Sequence, residues 1–149
     1  MPSPTRRLWK CPKCGHRFVT ANLSHSCGRY RLAAHFTGKS GAVRAAFSRL
    51  VAVARMAGPV TVYAQKTRIV LQQRVRFGNV VVRPTWLDAG LWLRRRVHHP
   101  RLIRTEDYGR LGYGHHFRLE RPGDIDSALK RLVHESYAEH ARADNRSTP

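Results

Sequence analysis

The pattern Cys11-x2-Cys14-x10-His25-x-Cys27 sets three thiols and an imidazole at the spacing of a small zinc knuckle. Two cysteines separated by two residues can direct both sulfurs at one ion from a tight turn. Zinc takes soft sulfur with imidazole in a tetrahedral, all-protein site when its role is structural. Pro12 and Gly15 suit such a turn, and Trp9 and Phe18 are available to cover the ion. Four protein ligands leave no open coordination position, so no metal catalysis is expected there. His16 is the competing fourth ligand and His35 a more remote one. A redox pair is the other reading of Cys11 and Cys14. A redox CxxC precedes a helix in a βαβ context, however, whereas here Gly15, an expected hairpin and a second His/Cys pair follow.

The second group of residues is cationic. Lys and Arg outnumber Asp and Glu by 28 to 9 in 149 residues, a formal net charge of +19. An excess of that size makes polyanions plausible partners, nucleic acid (DNA or RNA) or an anionic membrane. Only five of the 28 basic residues are Lys, and Arg-rich coding can also reflect genome composition. On alternating segments, Lys66, Arg68, Arg74 and Arg76 share one expected strand face, and Arg94 and Arg96 share another with Trp92. Such a field contacts phosphates without reading sequence, and Trp92 is available to stack on an unpaired base. The competing readings are a solvated sheet face for the arginines and packing under a helix for Trp92.

Other candidate chemistry is weaker. Gly38-Lys39-Ser40 imitates the end of a phosphate-binding loop, but Ala34 stands where the first glycine belongs and no strand precedes it. His98-His99 and His115-His116 flank a glycine-rich stretch that contains Glu106-Asp107, so a histidine with a nearby carboxylate offers a general base or part of a second metal site. Adjacent histidines on a strand face opposite ways, so only one of His115 and His116 can reach a given pocket. No thiol remains for cysteine catalysis once the knuckle is formed, and no nucleophile-elbow sequence is present.

These residues need a scaffold. With 42% hydrophobic residues, the chain supports one ordinary core plus a small appendage. Residues 1–8 and 141–149 read as tails, 9–30 as the knuckle segment and 31–140 as the main domain. Leu32, Ala33 and Phe36 suggest a short helical turn. A helix is expected over residues 42–57, where Val43, Ala46, Phe47, Leu50, Val51 and Ala54 recur at spacings of three and four. The period then changes to two: a strand at Val60 and Val62, a long one over Lys66–Phe77, a turn at Gly78-Asn79, and strands at 80–83, within 91–97 and at 115–120. Residues 98–114 read as a long connection. A last helix carries Ile125, Ala128, Leu129, Leu132, Val133 and Tyr137 on one side, with Asp124 as its cap and Asp126 in its first turn.

The sum is an α+β domain: a mostly antiparallel sheet of about five strands with helices before and after it, plus the N-terminal knuckle. Nothing resembles a signal peptide or a membrane span, and the thiol usage fits a cytoplasmic location.

Several short segments in order resemble the bacterial family known as domain of unknown function DUF5655, in a version with an N-terminal zinc-ribbon-like segment. They are Trp9-x-Cys11-x2-Cys14-Gly15, His25-Ser26-Cys27, His35-Phe36-x-Gly38-Lys39, Gly58-Pro59-Val60, Lys66-Thr67-x-Ile69, Arg76-Phe77 and His116-Phe117-x-Leu119. The resemblance covers roughly residues 9–140. It implies no catalytic role, and it points to Lys66, His116 and the Arg76 region as the places to look for a shared site.

Three functions follow as expectations. The first is a non-enzymatic nucleic-acid-binding protein contacting phosphates through Lys66, Arg68, Arg74, Arg76, Arg94, Arg96 and Trp92, with a structural zinc. The second is an enzyme or small-ligand protein with a pocket near Lys66 and His116. The third is a protein-interaction module using the knuckle, Trp86 and Trp92.

Overall fold

A computed structural model describes residues 7–19, 21 and 30–141; His25 and Cys27 lie outside them. A two-stranded antiparallel hairpin, β1 (Trp9–Lys10) and β2 (Arg17–Phe18), precedes the main domain. A 3-10 turn over Leu32–Phe36 leads to α1 (Gly41–Arg55). Six strands follow: β3 (Thr61–Ala64), β4 (Ile69–Gln72), β5 (Arg76–Val82), β6 (Leu87–Leu93), β7 (Leu102–Asp107) and β8 (Tyr113–Leu119). They form one antiparallel sheet in the order β3-β4-β5-β6-β8-β7, and α2 (Ser127–Ala141) closes the fold. The architecture is α+β, with six strands in the sheet where the sequence suggests about five.

Helix α1 forms because Ser40 caps it, its hydroxyl accepting from the Val43 N–H at 3.2 Å, and because its apolar positions recur along one face. Val43, Ala46, Phe47, Leu50, Val51 and Ala54 are all buried. The cap of α2 is Asp126 rather than Asp124. Asp126 accepts from the Leu129 N–H at 2.8 Å and from His99 Nε2 at 2.9 Å, and the His99 bond is the largest cause holding the Asp126 carboxyl below its ordinary range. Asp124 instead ties down the preceding turn, accepting from the Glu120 N–H and from Arg101 Nη2 at 2.7 Å.

The period-two stretch Lys66–Phe77 is not one strand. It breaks at Gln73–Val75 into β4 and the start of β5, where the Gln73 N–H reaches the Val75 carbonyl at 3.0 Å. Gly78 and Asn79 lie inside β5, not in a turn. Residues 98–114 contain β7, an edge strand, and residues 91–93 end β6 rather than opening a new strand.

Both helices cover the same face of the sheet. Ile69, Leu71, Val80, Leu87, Ala89, Leu91, Leu93, Phe117 and Leu119 share a core with the apolar faces of α1 and α2. Alternation therefore turns Asp88, Gly90, Trp92, Gly114, His116 and Arg118 to the other face.

Candidate functional site on the open face of the sheet

One row of cross-strand partners crosses this open face: Tyr63, Val70, Asn79, Gly90, His116 and Arg104. At the β3 end the N-terminal hairpin covers it. The His16 ring lies 3.9 Å from that of Tyr63, and the Gln72 side chain donates to the Arg17 carbonyl. The Arg76 guanidinium sits 5.3 Å from the Phe18 ring and donates to Tyr63 Oη at 2.8 Å. Burial raises the Tyr63 phenol above its ordinary value, with the Arg76 charge opposing it.

Beyond the hairpin the face opens into a cavity of about 320 Å³, whose lining includes Arg68, Asn79, Asp88, Trp92, Arg104 and His116. Glycine makes the hollow. A Cβ at Gly90 would stand 3.0 Å from Asn79 Oδ1, and one at Gly114 would stand 3.0 Å from the Tyr108 ring. The absent side chains let Trp92 and Tyr108 meet edge to face, centroids 5.8 Å apart at 73°.

The polar centre of the cavity is Asp88, only 4% exposed in its side chain, with Oδ1 2.7 Å from His116 Nδ1. An ionised carboxylate only accepts, so the Nδ1 proton belongs to the imidazole and fixes its orientation. His116 Nε2 then faces Glu106 Oε1 at 3.3 Å. Arg104 reaches the same Glu106 oxygen through Nε at 3.3 Å and Asp88 Oδ2 through Nη2 at 3.7 Å. Tyr108 donates its hydroxyl to Glu106. That bond is the largest cause lowering the Glu106 carboxyl below its ordinary value, with the His116 and Arg104 charges adding to it, and it raises the Tyr108 phenol. Chemically, this is an oriented imidazole held between two carboxylates, one of them shared with a guanidinium.

Arg68 differs from Arg104. No carboxylate lies within ion-pair distance of it among the described residues, although it lines the same cavity. The adjacent His115 takes the opposite side of β8. It is fully buried and accepts from the Val97 N–H at 3.2 Å, and burial lowers its pKa.

Of the residues singled out in the sequence, the cavity gathers Arg68, Trp92 and His116. Lys66 lines a separate cavity of about 120 Å³ with Tyr30, Arg31, Ala34 and His35, so it does not share a pocket with His116. Arg74 lies in the β4–β5 turn, half-buried, and Arg76 packs against the hairpin. Arg94 and Arg96 follow the end of β6: the Arg94 N–H donates to Glu139 at 3.1 Å, and Arg96 lies over the Tyr113 ring at 4.7 Å. Of these cations, Arg68 lines the open-face cavity and Lys66 the smaller one. Asp88, Asn79, Arg104 and Tyr108 were invisible as site residues. The available signal was the alternation Asp88, Gly90, Trp92 within Leu87–Leu93, an acid and an aromatic flanking a glycine on one strand face.

In the hairpin, Cys11 and Cys14 are both buried and share one turn. The Gly15 N–H donates to the Cys11 carbonyl at 2.8 Å, and Gly15 has φ +77°. Among the described residues no three His, Cys, Asp or Glu side chains are grouped to hold a metal, the other two expected ligands lying outside them. No described helix is long and apolar enough to cross a membrane.

No curated protein and no solved structure matches the chain. A family model does, over residues 32–140, which takes in the six-stranded sheet, α1, all but the last residue of α2 and every residue of the open-face cavity. The chain therefore belongs to the family described as Domain of unknown function (DUF5655).

Proposed function

We propose that the protein is a non-enzymatic nucleic-acid-binding protein that contacts phosphates through arginines on the open face of its sheet and carries a structural zinc site. The observation that supports this is the one-sided arrangement of the helices, which leaves Arg68, Arg104, Arg118 and the 37% exposed Trp92 on an uncovered face of a chain with net charge +19. Arginines beside an aromatic platform suit single strands, whose bases can leave the stack.

The test is titration with single- and double-stranded DNA and RNA at several salt concentrations. Three phosphate contacts on a single strand give a slope of log K against log salt near −2, so a fourfold rise in salt should weaken binding about twentyfold. No binding at low salt, or binding indifferent to salt, would sink the proposal.

Cys11, Cys14, His25 and Cys27 are the proposed zinc ligands. The two buried thiols on one tight turn suit half of such a site, and the hairpin has too little apolar surface for a core of its own. Elemental analysis should find one zinc per chain, and Cys14→Ala should abolish stoichiometric zinc and loosen residues 9–30 first. Full zinc retention with an unchanged fold would refute the ligand assignment.

One observation favours a second reading, an enzyme or small-ligand protein. The buried Asp88 orients His116 inside a cavity, as an acid–base site requires.

A further inference from the structure

We infer that the open-face cavity holds one unpaired nucleotide, its base against the Trp92–Tyr108 corner and beside the Asn79 amide, its phosphate on Arg68. This rests on the nucleic-acid reading and specifies which part of a strand enters which part of the site. Ion pairing identifies the anion contact. Asp88 and Glu106 both lie within ion-pair distance of Arg104, the His116 ring stands between them, and Tyr108 takes the remaining Glu106 oxygen. Arg68 lines the same cavity with no carboxylate in ion-pair distance among the described residues, so its guanidinium is the cation left to meet an anion at the β4 side. A phosphate is the group that a lone guanidinium at a cavity rim engages best.

The remaining surfaces select a flat, polar ring. Trp92 retains 37% of its surface, and the indole N–H lies only 3.4 Å from where a Gly114 Cβ would stand, so the floor beneath it is bare backbone. The Asn79 amide, which offers both a donor and an acceptor, has no hydrogen-bond partner among the described residues. A volume of about 320 Å³ is at the small end of ligand cavities, suited to one nucleotide and too narrow for a duplex. Base and phosphate together are the shared chemistry of a strand and of a free mononucleotide.

The experiment uses the full chain and a single-stranded oligonucleotide of about a dozen nucleotides with one fluorescent adenine analogue, within the usual site size for such grooves. Adenosine monophosphate and inorganic phosphate serve as competitors. Arg68→Gln and Trp92→Ala should each weaken strand binding about tenfold, and Trp92→Ala should abolish the change in analogue fluorescence. Arg49→Gln, exposed on α1 away from this face, should leave affinity within a factor of about two. Adenosine monophosphate should compete far better than phosphate. Salt-dependent strand binding that ignores both substitutions would overturn the nucleotide pocket while leaving the nucleic-acid reading intact. Absence of any strand binding would remove that reading itself. Arg68-dependent binding of adenosine monophosphate without strand binding would overturn the proposal in favour of a free mononucleotide.

Discussion

Gly112→Val is expected to destabilise the protein by about 3–5 kcal/mol, enough to unfold a marginal domain at physiological temperature. Gly112 has φ +99° and ψ −148°, a region that only glycine occupies readily. A Cβ there would stand 2.7 Å from the Leu93 carbonyl oxygen and 3.1 Å from Arg94 Cα, both backbone atoms that cannot rotate away. Conformational strain and overpacking each cost about 1–3 kcal/mol, and here they add because relief of one worsens the other. Gly109, in the same turn, has φ +60° but nothing within 4 Å of its missing Cβ. Gly109→Ala should therefore cost only about 1–2 kcal/mol, the left-handed penalty alone. Urea denaturation of both variants checks the difference, and equal midpoints would refute it. The turn also positions the site. The Tyr108 N–H donates to the Gly112 carbonyl at 2.9 Å, and Tyr108 in turn holds Glu106. Strain at Gly112 should thus reach the cavity wall as well as the fold.

The helices were legible because their cause is local. Apolar spacing of three and four placed the buried face of α1, and the same signal placed Leu129, Leu132, Val133 and Tyr137 in α2. Strand limits were harder because turn chemistry and pattern disagreed. Gln73-Arg74-Val75 turns the chain without Gly, Pro, Asn or Asp, so alternation through Lys66–Phe77 looked unbroken. Gly78-Asn79 carried a turn signal for another reason. A Cβ at Gly78 would stand 2.9 Å from the Gly90 carbonyl, and Asn79 lines the cavity. The charged edge strand β7 lacks an apolar face and so read as a connection. That misreading hid the site, since Arg104 and Glu106 reach His116 only because β7 pairs with β8. The resemblance points to His116 as a place to look, but its partner Asp88 comes from a strand whose pairing with β8 is non-local. Sequence pattern gives the face of a residue on its own strand. It does not give the neighbour across the ladder.

That non-local pair sets the second large effect. Asp88→Ala is expected to cost about 2–3 kcal/mol, below the value for wholly buried ion pairs because the Arg104 side chain is 54% exposed and stays partly hydrated. The loss comes from His116, whose side chain is 14% exposed and whose Nδ1–H would lose its acceptor. His116→Ala should cost less, because Asp88 then keeps Arg104 within 3.7 Å. The double variant should be more stable than the sum of the two changes implies, with a coupling of about 1–2 kcal/mol from denaturation midpoints. Imidazole nitrogen NMR offers an independent reading: the proton should sit on Nδ1 in the native protein and shift toward the Nε2 tautomer in Asp88→Ala. Coupling near zero with an unchanged tautomer would mean that the 2.7 Å contact does not orient the ring. The same variants also separate the two functional readings. Neither side chain supplies a phosphate contact, so a nucleic-acid-binding surface should keep its salt slope in both single variants at temperatures where they remain folded. An acid–base site would instead lose function in both, because its imidazole would be absent in one and misdirected in the other.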